Sequence, residues 1–143
     1  MAAVSKAESR WRGGLADGRG RVHVESGAFD DFDVTWAARA EHTHGITSPE
    51  ELLAAAHAAC FSMALSNGLG QAGHKSEELE VSAEVTFVPG EGITGIVLTV
   101  RGRVPGMDAA GFREAAEAAK AGCPVSKALA GTTITLGSAE LAG

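Results

Sequence analysis

Two kinds of hydrophobic pattern divide the chain. Apolar and polar residues alternate over RVHVES (21–26) and FDVTWAA (32–38), and a shorter edge strand lies around Trp11. The same alternation returns over LEVSAEVTFV (79–88) and ITGIVLTVRGRV (93–104), which are joined by the turn PGEG. A period of two residues is typical of half-buried strands. We therefore expect two β regions, of which the second is a hairpin.

Between these β regions lies the longest apolar run of the chain, SPEELLAAAHAACFSMALSNGLG (48–70). Ser48 suits the N-cap of a helix, Pro49 suits the first helical position, and Glu51 completes a capping box. The apolar residues cover most of the helix circumference, and a helix of this kind is buried on all sides. One chain of 143 residues has little material to surround it, so we expect a second subunit to help.

Shorter elements follow the hairpin. The segment 108–122 is predicted to be a helix with Asp108 as its N-cap and Gly122 as its stop. A third short helix then begins with Pro124 at its first position, which places Cys123 at or beside the N-cap. The final apolar segment, TTITL, is expected to be a strand.

The order of these elements predicts an α+β fold, with a mostly antiparallel sheet around a long, buried central helix. We expect a single domain over residues 1–143, because this is an ordinary domain length. Its expected parts are N-terminal strands at 8–38, a central helix at 49–70, a hairpin at 79–104, helices at 108–130 and a final strand at 132–136.

Composition and charge narrow the class of protein. The net charge of -6 argues against a nucleic acid or an anionic membrane surface as the main partner. Polar residues such as His57 and Asn67 interrupt the longest apolar run, so we expect no membrane span. The N-terminus lacks the apolar core of a signal peptide, and two cysteines are too few for a secreted disulfide scaffold. We therefore expect a location in the reducing cytoplasm.

The two cysteines, Cys60 and Cys123, are the candidate reactive groups. Cys60 alone is compatible with a small core residue, and it lies too far into its helix to gain from the helix N-terminus. Cys123 has the better local electrostatics, because free N–H groups at an N-cap favour a thiolate. A cysteine that merely caps the helix fits equally well. Together the pair suits peroxide chemistry, in which one thiolate attacks the O–O bond and the other captures the sulfenic acid as a disulfide.

The amino-acid sequence around both cysteines resembles that of one known family. TSPEELLAAAHAACFSMALS with AKAGCPVSKAL, preceded by VESG and ARAE, is similar to the OsmC/Ohr family, and the resemblance runs from Trp11 to ITL. HAACFSMAL, KAGCPVS and Arg39 are closer to the OsmC branch, since Ohr proteins usually carry Pro-Tyr-Ser where this chain has Pro-Val-Ser. The resemblance implies a thiol peroxidase on an intertwined homodimer, with active sites at the subunit interface.

The resemblance also implies roles for four residues. Cys60 matches the peroxidatic cysteine and Cys123 the resolving one, while Glu50 and Arg39 match the carboxylate and arginine of the family. Ten residues of helix separate Glu50 and Cys60 by about 15 Å, so these two cannot touch on a straight helix. Arg39 is expected to stabilise the thiolate and orient the peroxide, with Glu50 positioning it. The alternatives are a helix-dipole charge for Glu50 and a strand-end surface charge for Arg39.

The expected substrate follows from the residues around Cys60, whereas the expected reductant follows from the family resemblance. An apolar lining around Cys60 favours organic hydroperoxides over hydrogen peroxide, because a desolvated pocket gains from burying an alkyl tail. For the reductant, the resemblance implies a dithiol of the lipoyl type or another small dithiol. We expect neither a cofactor nor a bound metal.

The histidines leave two other classes of function open. His57 lies three residues before Cys60 on the same helical face, and a Cys/His pair would suit a thioesterase-like hydrolase. No Asn or Asp that would orient His57 is identifiable from the sequence, so a satisfied core histidine is the simpler interpretation. His42 and His44 are spaced like two metal ligands, but no third ligand lies nearby. A metal- or ligand-binding module is the remaining alternative.

Overall fold

A computed structural model describes residues 1–142 and has the α+β architecture expected from the sequence. The strands are β1 Ala7–Arg12, β2 Arg19–Val24, β3 Phe32–Val34, β4 Glu78–Val88, β5 Gly92–Arg103 and β6 Thr133–Leu141. The helices are α1 Trp36–Glu41, α2 Pro49–Gln71, α3 Ala109–Gly122 and α4 Pro124–Ala128.

The chain divides into two compact units, Met1–Leu52 and Leu53–Gly143. Each unit holds one three-stranded sheet, with the order β1-β2-β3 in the first and β4-β5-β6 in the second. Helix α2 begins in the first unit and continues through the second. The single domain over 1–143 stays a prediction.

In the first unit, β1, β2 and β3 pair antiparallel. The expectation of strands up to residue 38 is wrong, because β3 ends at Val34 and α1 begins at Trp36. The cause is a local cap: the hydroxyl oxygen of Thr35 accepts a hydrogen bond from the backbone N–H of Ala38 at 3.1 Å. Arg39 therefore lies in the last turn of a helix and not at a strand end.

In the second unit, β4 and β5 form the predicted antiparallel hairpin. Strand β6 pairs parallel to β5, and it runs to Leu141, beyond the predicted end at 136. The extension is possible because the register shifts at Leu98/Thr99, after which pairing resumes as far as Gly102 and Leu141. A hydrophobic core joins α2, β5, α3 and β6, with Phe61, Leu98, Phe112 and Leu136 among its buried members.

The start of α2 agrees with the predicted N-cap. The Ser48 hydroxyl oxygen accepts a hydrogen bond from the N–H of Glu51 at 3.1 Å. The Glu51 carboxylate accepts a hydrogen bond from the Thr47 hydroxyl at 2.6 Å, so its side chain is bonded to a neighbouring side chain. This hydroxyl is the partner that replaces the reciprocal bond of a capping box.

The faces of helix α2 differ in their burial within one copy of the chain. Only one stripe of the helix is fully buried in the second unit, and it consists of His57, Phe61, Leu65 and Leu69. Met63 is 72% exposed, so one copy of the chain leaves part of α2 uncovered, and the expected cover by a second subunit stays a prediction. Among the described residues, α2 is the one helix that is long and apolar enough to cross a membrane by length and composition alone. Since its buried stripe contributes to the core, we interpret it as a core helix.

The C-terminal helices begin as predicted. The Asp108 carboxylate accepts a hydrogen bond from the N–H of Gly111 at 2.7 Å and caps α3. Cys123 is the N-cap of α4, and Pro124 occupies the first position of that helix. This arrangement carries Cys123 to the start of a helix that packs beside α3.

Candidate functional site

The two cysteines, far apart in sequence, meet in the second unit. Cys60 lies on α2, Cys123 caps α4, and the two thiol groups share a hydrogen bond. Both are free thiols. The folded chain therefore presents a reduced dithiol whose sulfur atoms are in contact.

The two sulfur atoms differ in access. Cys60 is half-buried and lines a groove of about 890 Å³ between α2 and α3. Cys123 is fully buried and does not line that groove. The groove walls are mostly apolar and small, and Met63 and Met107 are their largest apolar side chains. A molecule that enters along this groove reaches Cys60 first.

Hydrogen bonds and burial shift the pKa values of the two thiols in opposite directions, up for Cys60 and down for Cys123. Burial raises the pKa of Cys60, and its hydrogen bond to Cys123 raises it further, against one backbone N–H from Val125. Burial would also raise the pKa of Cys123, but it is held below the ordinary value by other groups. These are the Cys60 thiol, the N–H and hydroxyl groups of Ser126, and the N–H of Val125. Hydrogen bonds to a charged form favour that form, so the first proton to leave the pair leaves a thiolate centred on Cys123.

His57 lies behind this pair and is fully buried. Its Nε2 atom is 2.7 Å from the hydroxyl oxygen of Ser126. Its Nδ1 atom is buried and has no hydrogen-bond partner among the described residues. Burial lowers the pKa of His57, so the imidazole is neutral near pH 7. The hydrogen-bond partner of His57 is thus Ser126 and not Cys60, which gives the hydrolase hypothesis no support.

Arg39 and Glu50 form the other predicted pair, in the first unit. The Nε atom of Arg39, at the end of α1, lies 2.8 Å from Oε1 of Glu50 in the first turn of α2. Glu50 is only 5% exposed, and its second oxygen, Oε2, has no hydrogen-bond partner in the described part of the chain. A charge-assisted bond of this length holds the guanidinium in one orientation. The four predicted site residues therefore come together as two pairs, one in each unit.

His42 and His44 lie in an exposed loop that borders a surface hollow with Glu51. His42 has a positive φ of 64°. Within residues 1–142, no group of three or more His, Cys, Asp or Glu side chains is placed to hold a metal ion. The metal-binding hypothesis gains no support from this loop.

Ser126 is the site residue that sequence reasoning did not identify. Its position carries one signal, because it lies three residues after Cys123, as His57 lies three residues before Cys60. Residues at this spacing share a helix face, so the two pairs could be recognised as facing each other once α2 and α4 were known to be neighbours. The sequence alone contains no evidence of that contact.

Comparisons with known proteins show which family and which solved structures this chain is similar to. A family model described as OsmC-like protein matches residues 42–137, more than half of the chain. Peroxiredoxin OsmC of Escherichia coli is 42% identical over 132 residues, covering 90% of this chain and 92% of that protein. An organic hydroperoxide resistance protein of Xanthomonas axonopodis is 36% identical over 99 residues, covering 63% of this chain and 66% of that protein. The solved structure of the organic hydroperoxide resistance protein OhrB of Bacillus subtilis has a TM-score of 0.67 and 30% identity, with 98% of each chain covered.

Proposed function

The chain belongs to the OsmC-like protein family and is a cysteine-based peroxidase that detoxifies peroxides, and we propose that it reduces organic hydroperoxides through a Cys60 sulfenic acid. In this proposal Cys123 resolves the sulfenic acid as a disulfide. A dithiol reductant, of the lipoyl type or another small dithiol, then restores both thiols by exchange.

The chemistry starts from a dithiol that has lost one proton. When the remaining proton lies on Cys123, the Cys60 thiolate attacks the terminal oxygen of the hydroperoxide and breaks the O–O bond. The alkoxide leaves and takes the proton from Cys123, which gives an alcohol, a Cys60 sulfenic acid and a Cys123 thiolate. That thiolate attacks the Cys60 sulfur, and the expelled hydroxide takes a proton from solvent to form water.

One observation carries the assignment of roles: the two thiols are in contact, and only Cys60 lines the groove. The attacking sulfur must meet the peroxide, whereas the resolving sulfur must meet only the first sulfur. The fully buried Cys123 suits the second role. Its lower pKa also suits that role, because resolution needs a thiolate on Cys123 once Cys60 is oxidised.

Arg39 is proposed to stabilise the Cys60 thiolate and to orient the peroxide, and Glu50 to position Arg39. The ion pair of Arg39 with the buried Glu50 supports the second half of this proposal. Glu50 is buried and is held by one oxygen, which leaves the arginine with a fixed carboxylate partner. The four residues Arg39, Glu50, Cys60 and Cys123 make up the proposed catalytic set.

The nature of the groove supports an organic substrate. Alanine, glycine and methionine residues form most of its wall beside Cys60. An alkyl or aryl tail laid along such a wall loses contact with water, and each buried CH₂ contributes about 0.8 kcal/mol. Hydrogen peroxide has no tail and gains nothing from this surface. We therefore expect a higher kcat/KM for cumene hydroperoxide than for hydrogen peroxide.

We also infer a homodimer and a cytoplasmic location. Met63 on α2 and Trp11 on β1 are exposed large apolar side chains. Exposed apolar surface is typical of a protein interface, so it supports a second copy of the chain packing against these residues. Light scattering of the purified protein tests the dimer, and a charge placed by Met63→Glu should weaken it. A monomeric wild-type protein at micromolar concentration would overturn this inference.

The proposal is tested by intact mass and thiol titration before and after one equivalent of tert-butyl hydroperoxide. Wild-type protein should lose two hydrogens and both free thiols, with a Cys60–Cys123 crosslink in the peptide map. Cys60→Ser should consume no peroxide. Cys123→Ser should complete one turnover and stop at a sulfenic acid that dimedone traps. Unchanged peroxide consumption by Cys60→Ser would overturn the assignment.

A further inference from the structure

Two facing pairs of residues form a continuous hydrogen-bonded chain inside the second unit. His57 and Cys60 lie three residues apart on α2, and Cys123 and Ser126 lie three residues apart at the start of α4. The chain runs from Cys60 to Cys123, from Cys123 to the Ser126 hydroxyl, and from there to His57 Nε2 at 2.7 Å. His57 and Cys123 are fully buried, so the chain is exposed only at its Cys60 end.

The direction of these bonds follows from counting protons. The Ser126 hydroxyl has one proton, and it donates this proton to the Cys123 sulfur. Its oxygen must then accept from His57, which places the imidazole proton on Nε2. The remaining atom, Nδ1, is then an acceptor without a partner. If the proton lay on Nδ1 instead, a buried N–H donor would have no acceptor. Buried N–H donors without a partner are rarer in proteins than buried acceptors without one.

We propose that His57 is a positioning residue for disulfide formation: its Nε2–H holds the Ser126 hydroxyl on the Cys123 sulfur, so that Cys123 is held as a thiolate once Cys60 has been oxidised. This inference rests on the proposed peroxidase function and adds two residues to it. His57 does not act as a base here, because burial disfavours the imidazolium that accepting a proton would form, and Nε2 is already a donor.

The arrangement has a consequence for the fate of the Cys60 sulfenic acid. That species has two competing reactions: attack by the Cys123 thiolate, which gives the disulfide and hydroxide, and attack on a second hydroperoxide, which gives the sulfinic acid and an alcohol. A larger thiolate fraction on Cys123 speeds only the first reaction. The His57–Ser126 pair therefore protects Cys60 from irreversible oxidation at high peroxide concentration.

The test separates the two chemical steps. Wild-type and variant proteins are mixed rapidly with tert-butyl hydroperoxide, quenched with acid, and scored by intact mass for sulfenic acid, disulfide and sulfinic acid. In Ser126→Ala and His57→Leu, loss of the bond should slow disulfide formation about tenfold, which corresponds to about 1.4 kcal/mol. Sulfinic acid should accumulate. The first step should not slow. When the Cys123 thiolate is less stabilised, the shared proton lies on Cys123 more often, and Cys60 is then the thiolate that attacks the peroxide.

Matched variants separate this role from a structural one. His57→Gln keeps an N–H donor near the position of Nε2 and should restore disulfide formation. Ser62→Ala is the control, since its hydroxyl donates to the Ala59 carbonyl on the same helix. Equal slowing of both steps, or an unchanged rate of disulfide formation in Ser126→Ala, would overturn the positioning role while leaving the peroxidase intact. A wild-type protein that forms neither sulfenic acid nor disulfide would instead overturn the proposed function, and this inference with it.

A second measurement does not depend on peroxide turnover. In a Cys60→Ser background, thiolate absorbance at 240 nm reports the titration of Cys123 alone. Adding Ser126→Ala should raise its apparent pKa, since a hydroxyl bond to the charged form is lost. Identical titration curves for the two proteins would refute the proposed bond between Ser126 and Cys123.

Discussion

Replacing Glu50 by glutamine is the perturbation that isolates the arginine pair. The change keeps the size of the side chain and an oxygen that can accept from Arg39, and it replaces the other oxygen and the negative charge by a neutral NH₂ group. Because Glu50 is proposed to act through Arg39, the variant should lower the rate of the first chemical step. It should leave the contact between the two cysteines unaffected.

The magnitude follows from the contact itself. The Arg39 Nε to Glu50 Oε1 distance is 2.8 Å, and the two side chains are 34% and 6% exposed. A hydrogen bond to a charged group contributes about 1.5–3 kcal/mol and a neutral one about 0.5–1.5 kcal/mol. Since a third of the arginine side chain is exposed, solvent screening favours the low end of the difference. We expect a loss of about 1 kcal/mol, or about fivefold in the population of the held arginine.

The assay is stopped-flow measurement of the second-order reaction with tert-butyl hydroperoxide, at fixed pH. Glu50→Gln should react about fivefold more slowly, and Glu51→Gln is the matched control, because Glu51 is an exposed neighbour bonded to Thr47. In an Arg39→Met background, Glu50→Gln should have no further effect, which a double-mutant cycle detects. A wild-type rate in Glu50→Gln, or simple additivity of the two changes, would refute the positioning of Arg39 by Glu50.

Three further predictions concern the second unit. Gly102→Ala should lower the free energy of unfolding by about 1–3 kcal/mol in a guanidinium titration, since its Cβ would lie 2.7 Å from the buried ring of Phe112; an unchanged midpoint contradicts this. His57 has a pKa lowered by burial, so wild-type stability should fall as the pH drops below the ordinary value of 6.5, and His57→Gln should lack this component. Iodoacetamide should label Cys60 before Cys123 in a peptide map, because Cys123 is fully buried although it is the more acidic thiol; preferential labelling of Cys123 would contradict the access argument.

Local signals predicted much of the fold. Ser48 and Asp108 were identified as helix caps from residue type and spacing, and both accept the expected backbone hydrogen bonds. Cys123 was placed at an N-cap because a proline follows it, and it occupies that position. The error at Trp36 is also local: alternation continued through a threonine that is in fact a helix cap. The polar alternation was the weaker signal there, because it spanned only a few residues.

Long-range contacts were less accessible. The parallel pairing of β6 with β5 joins segments that the sequence separates by two helices, and no local pattern encodes its direction. An apolar circumference predicted burial of α2 with the help of a second subunit, but it does not reveal which faces a single copy covers. The family resemblance named the four expected site residues, but Ser126 had no signal strong enough to select it.

The sequence by itself determined the chemical groups and the local elements: two thiols, an arginine, a carboxylate, and the helices and strands that carry them. Only the tertiary structure decided that the thiols of Cys60 and Cys123 touch, that Cys60 alone lines the groove, and that Ser126 joins His57 to Cys123. The physical reason is that caps and periodicity depend on neighbouring residues, whereas access and acidity depend on which distant surfaces exclude water and which donors they bring to a sulfur atom.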